Sequence, residues 1–174
     1  MKLSNLYECG IKLLFYIPGV RFKKFVYRLL GVNNAGESCF IGNPKVIGDY
    51  KNIYVHKNTE IERECLFIAK DRIEIGENST LAYGVTILTG ADPNGPHNKL
   101  SKLYPPIKAP VTIGNDCWIG ANATILPGVT IGSMVVVAAG SIVTKDIPSN
   151  VMVAGNPAVI KKYFKYDNLK SGNH

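Results

Sequence analysis

Aliphatic residues recur at every sixth position through the second half of this chain: Ile113, Ile119, Ile125, Ile131, Val137 and Val143. An amphipathic α-helix repeats its apolar face every three or four residues and a half-buried strand every two, so a period of six fits neither. It fits an all-β solenoid, a parallel β-helix whose every turn is built from short hexapeptide strands. The flanking positions keep the same period. Two residues before each aliphatic stand Val111, Cys117, Ala123, Val129, Val135 and Ser141; one residue after stand Gly114, Gly120, Leu126, Gly132, Ala138 and Thr144. A bulky side chain fills a narrow prism, a smaller one packs beside it, and small residues let the backbone turn the corner.

The first half carries the same pattern with interruptions. Ile41, Ile47 and Ile53 are in step, then Ile61 and Phe67, then Ile75, Leu81 and Ile87. Slips of two residues mark corners that hold extra residues. Cys39, Cys65 and Cys117 each precede an expected prism residue by two positions, which reads as packing of reduced thiols; Cys9 lies in the N-terminal segment. No close-spaced cysteine pattern for a metal is present. Between residues 91 and 110 the hexads stop, and a polar, proline-rich stretch, ADPNGPHNKLSKLYPPIKAP, forms an excursion loop. A loop of about 20 residues inside a compact repeat is usually functional.

Residues 1–35 form an N-terminal helical segment, broken near Pro18–Gly19. After the break, Phe22, Phe25, Val26 and Leu29 make a single apolar helical face, which suits a helix packed on the side or end of the solenoid or, as the alternative, peripheral contact with a membrane. The solenoid is expected over 36–147, with a C-terminal extension, 148–174, that includes a short helix near Val159–Lys165. The formal net charge is +7, and many of the bases lie in the two ends of the chain. That charge suits a phosphorylated ligand, or an anionic membrane touched by residues 1–30, better than nucleic acid, for which no binding motif accompanies it. The run Leu13–Ile17 is too short to span a bilayer, and nothing resembles a cleavable signal peptide, so a cytoplasmic protein is expected, at most at the inner face of the membrane.

The stretches APVTIGNDCWIGANATILPGVTIG and VTKDIPSNVMVAGNPAVIKK, with the mid-chain loop, closely resemble the hexapeptide-repeat acetyltransferases. The match is to galactoside and maltose acetyltransferases and to bacterial capsule, colanic-acid and lipopolysaccharide O-acetyltransferases, over roughly residues 36–162. The resemblance implies a left-handed β-helix and a homotrimer. It also implies acetyl-CoA as the acyl donor, bound between subunits, with no metal. The function so implied is acetyl transfer to a sugar hydroxyl in surface polysaccharide synthesis. An amino sugar nucleotide acceptor and a non-catalytic trimeric scaffold are the alternatives.

Acetyl transfer needs a base for the attacking hydroxyl and a donor for the oxyanion. In the family the base is a histidine at the root of the excursion loop, and the ungapped register puts Asp92 there, followed by Pro93. The expected histidine is therefore absent. His97, five residues on in the same loop, can supply an imidazole; Asp92 can act itself or orient His97; or the chain is a weak or inactive relative. Ala121 and Ala139 are 18 residues apart, one full coil, and should stack into a smooth wall for a pantetheine arm. The resemblance adds coenzyme contacts at Thr144, Lys145 and Lys162, the last standing where relatives carry arginine. Trp118 should point outward as a cleft wall, and Tyr83 should reach the acceptor. Glu62 occupies the place of the asparagine that binds sugar in galactoside enzymes, so that preference does not carry over. His56 reads as a surface residue and His174 as the chain's last residue. Together these histidines give no zinc spacing of the γ-class carbonic anhydrase type.

Overall fold

The computed structural model describes residues 20–33, 40–92 and 99–165. An eleven-residue helix, α1 (Val20–Leu30), precedes the solenoid. The first coils comprise β1 (Phe40–Ile41), β2 (Lys45–Gly48), β3 (Ile53–Val55), β4 (Glu60–Ile61), β5 (Leu66–Ala69), β6 (Ile73–Ile75), β7 (Thr80–Leu81) and β8 (Thr86–Leu88). The excursion follows, with β9 (Gly90–Ala91), a short helix α2 (Leu100–Leu103) and β10 (Ile107–Lys108). The coil resumes with β11 (Val111–Ile113), β12 (Trp118–Ile119), β13 (Thr124–Ile125), β14 (Thr130–Ile131), β15 (Val136–Val137) and β16 (Ile142–Val143). The last described strands are β17 (Val151–Ala154) and β18 (Val159–Tyr163).

These strands make three parallel sheets, the walls of a prism. The first contains β3, β6, β11 and β14; the second β1, β4, β7, β12, β15 and β17; the third β2, β5, β8, β13 and β16. Register aligns Val55, Ile75, Ile113 and Ile131 on the first wall, and Ile61, Leu81, Ile119, Val137 and Val153 on the second. Phe67, Ile87, Ile125 and Val143 align on the third. All of these side chains are buried. Each aliphatic sits on an equivalent one a strand spacing away, so the core is a continuous column rather than a globule.

The positions two residues before the apices supply the polar half of the packing. Thr59 donates to the Gly76 carbonyl at 3.0 Å, Ser79 to the Gly114 carbonyl at 2.9 Å, and the Cys117 thiol to the Gly132 carbonyl at 3.0 Å. Each small polar group thus ties its coil to the next. Cys65 and Cys117 are buried, as their spacing implies, and burial pushes the Cys65 thiol up to about 11. Cys9 and Cys39 lie outside the described residues. The Ser79 hydroxyl also accepts from the Cys117 backbone N–H at 3.0 Å. Ser79→Ala strands that buried donor, and we expect a stability loss of about 1–3 kcal/mol, measured by chemical denaturation.

Four expectations need correction. Ile47 is 47% exposed, and Val46 faces the core in register with Phe67. Ile53 is buried, but as the companion residue aligned with Ile73; Val55 is the apex. The corner between β2 and β3 holds a 3₁₀ turn, Tyr50–Asn52, whose preceding Asp49 carboxylate accepts from the Lys51 N–H at 2.9 Å. That turn absorbs the residues which break the period of six. In α1, Phe25 and Leu29 do not share Val26's burial; Tyr27 does, its hydroxyl donating to the Gly42 carbonyl at 3.2 Å. The Val159–Lys165 segment contains a strand, not a helix: β18 pairs antiparallel with β17. Val159, Ile160 and Tyr163 favour strand, and the open edge of the last coil offers them backbone partners. The first half of the N-terminal segment falls outside the described residues, while the parallel stack continues through β17.

Candidate active site

The excursion leaves the solenoid at the corner between the third and first walls. Thr89 is fully buried there; its hydroxyl donates to the Ile68 carbonyl at 2.7 Å and accepts from the Asp71 N–H at 2.8 Å. The two ends of the loop then pair as an antiparallel bridge, Gly90 with Lys108 and Ala91 with Ile107. The excursion is therefore a closed flap on a fixed root. At this root a Cβ on Gly90 would lie 2.6 Å from Cδ of Lys70, so any larger residue would displace the lysine stem that packs there. That stem delivers its ammonium to Asp92, with Nζ 2.9 Å from Oδ2, and the Asp92 side chain is only 17% exposed. Asp92 is thus pinned. His97 lies outside the described residues.

The corner between the second and third walls carries a second group. Leu81, Ile119 and Val137 are aligned apices, so the residues two positions on, Tyr83, Ala121 and Ala139, stack on successive coils. The Asn122 N–H donates to the Tyr83 carbonyl at 2.9 Å and the Gly140 N–H to the Ala121 carbonyl at 2.8 Å, which locks this column together. Arg63 continues it below Tyr83, since Gly84 N–H donates to the Arg63 carbonyl at 3.1 Å. Glu64, Gly84, Asn122 and Gly140 all adopt positive φ at the next position, so every coil turns this corner in the same way. The column is bulky at Arg63 and Tyr83 and low from Ala121 onward, since the position above Ala139, two residues after Val153, is Gly155.

Trp118 is exposed on the second wall, in line with Val136, Met152 and Lys162 across β12, β15, β17 and β18. Tyr83, Ala121, Ala139, Trp118 and Lys162 therefore share one side of the solenoid. Thr144 and Lys145 follow β16 and lie exposed at the loop corner, on the side of Asp92. One chain thus keeps its alanine column and its loop root on different corners. Glu62 is half-buried on the coil of Arg63.

His56 stands elsewhere, on the first wall, with Nε2 3.0 Å from Glu74 Oε1. Arg72 bonds the other carboxylate oxygen and lies 3.9 Å from the Tyr54 ring centroid. The hydrogen bond from His56, helped by Arg72, holds the Glu74 carboxyl below its usual range. The cluster lies on the first wall, and its Arg72 adjoins the loop corner, where its carbonyl accepts from the Val111 N–H at 2.9 Å. Among the described residues, no three His, Cys, Asp or Glu side chains gather as a metal site.

Sequence reading missed Lys70 and Arg63. The only signal for either is distance along the chain, 22 residues from Lys70 to Asp92 and 20 from Arg63 to Tyr83. Neither number equals the 18 of a regular coil, because the early coils carry extra corner residues.

Residues 110–145 match the family model described as the hexapeptide repeat of succinyl-transferase. Over 122 residues the chain is 38% identical to the galactoside O-acetyltransferase of Escherichia coli K12, covering 70% of this chain and 59% of that protein's own length. The solved maltose O-acetyltransferase of Clostridium difficile superposes with a TM-score of 0.79 at 33% identity, covering 91% of this chain and 85% of that one. This chain belongs to the hexapeptide-repeat acetyltransferases. A solved galactoside acetyltransferase in complex with coenzyme A superposes with a TM-score of 0.80 at 30% identity, over 94% of this chain and 82% of that one. The family's left-handed β-helix is the fold of this chain.

Proposed function

We propose that this member of the hexapeptide-repeat acetyltransferases transfers acetyl from acetyl-CoA to a sugar hydroxyl, in the synthesis of a surface polysaccharide or its lipid-linked precursor. The observation that carries this reading is the column Arg63–Tyr83–Ala121–Ala139, which steps from bulky to small side chains along a solenoid similar to one solved in complex with coenzyme A. In it the pantetheine arm lies against Ala121 and Ala139. Lys162 draws the coenzyme phosphates as a point charge. Tyr83, Trp118 and Arg63 stand beside the thioester end and meet the acceptor.

The loop corner completes the site from a neighbouring copy. A homotrimer brings the column of one subunit against the loop root of the next, with Thr144 and Lys145 on the same side as the flap. Supporting this, Leu103, Tyr104 and Ile107 on the flap are exposed apolar groups in the single chain. His97 is the base. Asp92, its carboxylate already engaged by Lys70, holds the loop root and the base rather than accepting the proton. The attacking hydroxyl loses its proton to the imidazole as its oxygen joins the acetyl carbon. Collapse of the tetrahedral intermediate then expels the coenzyme thiolate, which takes the proton back.

The deciding experiment is release of coenzyme A thiol from acetyl-CoA in the presence of a panel of neutral, acidic and amino sugars, with light scattering on the same sample. Turnover with a hydroxyl acceptor by a trimer is expected. A preference for amine acceptors would favour the amino sugar reading. A trimer that binds acetyl-CoA without turnover on any of them would favour the scaffold reading, and a monomer at micromolar concentration would sink the shared site.

A further inference from the structure

The two faces of α1 meet different surroundings. Its inner face, Val26 and Tyr27, is buried against the open end of the prism. Tyr27 and the following Val32 close a small apolar cavity there, lined also by Val46, Val55, Ile61 and Phe67. Capping the prism explains that face completely. On the outer face Phe25 is 61% exposed and Leu29, one turn on, is 60% exposed, with Arg28 exposed beside them. Phe22, one turn before Phe25, is half-buried and extends the ridge. A cap needs no aromatic or aliphatic side chains on its outer side. The helix sequence, VRFKKFVYRLL, holds four bases and no acid.

We propose that α1 docks the protein on the surface of an anionic lipid bilayer. Phe25 and Leu29 enter the boundary between headgroups and acyl chains while Arg28 and the neighbouring lysines meet lipid phosphates. Charge selects this occupant. A second copy packed on the same face would set two helices, each with four bases and no acid, against one another, a like-charge contact without compensation. A nucleic acid would leave the Phe25–Leu29 ridge facing water or phosphate. The helix caps one end of the solenoid, so the docked protein stands with its axis away from the bilayer and its corners free. In the trimer proposed above, parallel copies would present three such helices together and gain avidity, but the docking does not depend on that assembly.

The test is flotation of the full chain with vesicles of phosphatidylcholine alone or with about one-third phosphatidylglycerol. Binding to the anionic vesicles only is expected, weakening roughly tenfold or more as salt rises from low levels to about 0.5 M. The double variant Phe25→Ser, Leu29→Ser should lose roughly tenfold or more in partition while keeping its unfolding midpoint, because neither side chain belongs to the core. Arg28→Gln should lose less. Four results would overturn the proposal: equal binding to neutral vesicles; a double variant that floats like the parent; a change in oligomer mass in place of a change in vesicle binding; or displacement from vesicles by duplex DNA. Acetyl-CoA turnover in solution by the same variants reads the catalytic proposal separately, so neither failure can be mistaken for the other.

Discussion

His97→Ala should lower acetyl transfer by about 10²–10⁴, the usual worth of a positioned general base, while acetyl-CoA affinity stays within a factor of about two. The acceptor for this measurement is whichever sugar of the panel gives the fastest thiol release. Asp92→Asn should cost less, because Asp92 serves by holding the loop root through Lys70, 2.9 Å away. Lys70→Met should therefore resemble Asp92→Asn, and the double variant should cost little more than either single one. The parent's rate should rise with pH as the imidazole loses its proton, and that inflection should survive in Asp92→Asn. If Asp92→Asn is the more damaging and removes the inflection, the carboxylate is the base. If neither His97→Ala nor Asp92→Asn affects turnover, the loop root is not the site.

Ala139→Trp should abolish productive coenzyme binding, weakening acetyl-CoA by about a hundredfold or more, since an indole would occupy the space that the pantetheine arm needs. The fold should be unaffected. Ala139 is exposed and lies at a corner outside the prism. Equilibrium dialysis with acetyl-CoA reads the affinity, and the unfolding midpoint checks the coil. Wild-type affinity in a folded Ala139→Trp protein would remove the column from the coenzyme site, whatever the loop corner does. Lys162→Glu reads the same proposal from the phosphate end, through weaker binding that salt partly masks.

The solenoid was legible because its core is a repeated local problem. From Ile113 to Val143 every sixth residue meets the same prism interior, and the companions at Cys117 and Ser141 sit where a small buried group belongs. The early coils were less legible for an equally physical reason. Aliphatics stand at 46, 47, 53 and 55, and strand alternation allows more than one choice of apex. Only pairing with the next coil, Val46 to Phe67 and Val55 to Ile75, decides it. The C-terminal segment failed in a related way: Val159, Ile160 and Tyr163 lean to strand, but so short a strand forms only where the edge of β17 supplies hydrogen-bond partners.

The sequence by itself determined the period, and with it the prism, its buried columns, the small residues at its corners, and the stretch where the coil is interrupted. It also marked Ala121 and Ala139 as neighbours, because no slip falls between them. What only the tertiary structure decided is which residues from different coils meet. Tyr83 and Ala121 are 38 residues apart yet stack directly, because the excursion between them adds chain without adding a coil. Arg63 joins that column, and Lys70 reaches Asp92, across coils lengthened by extra corner residues. A periodic pattern fixes each residue's angle around the axis modulo one turn. The rise along the axis depends on every slip and excursion before it, and that sum is settled only when the coils pair.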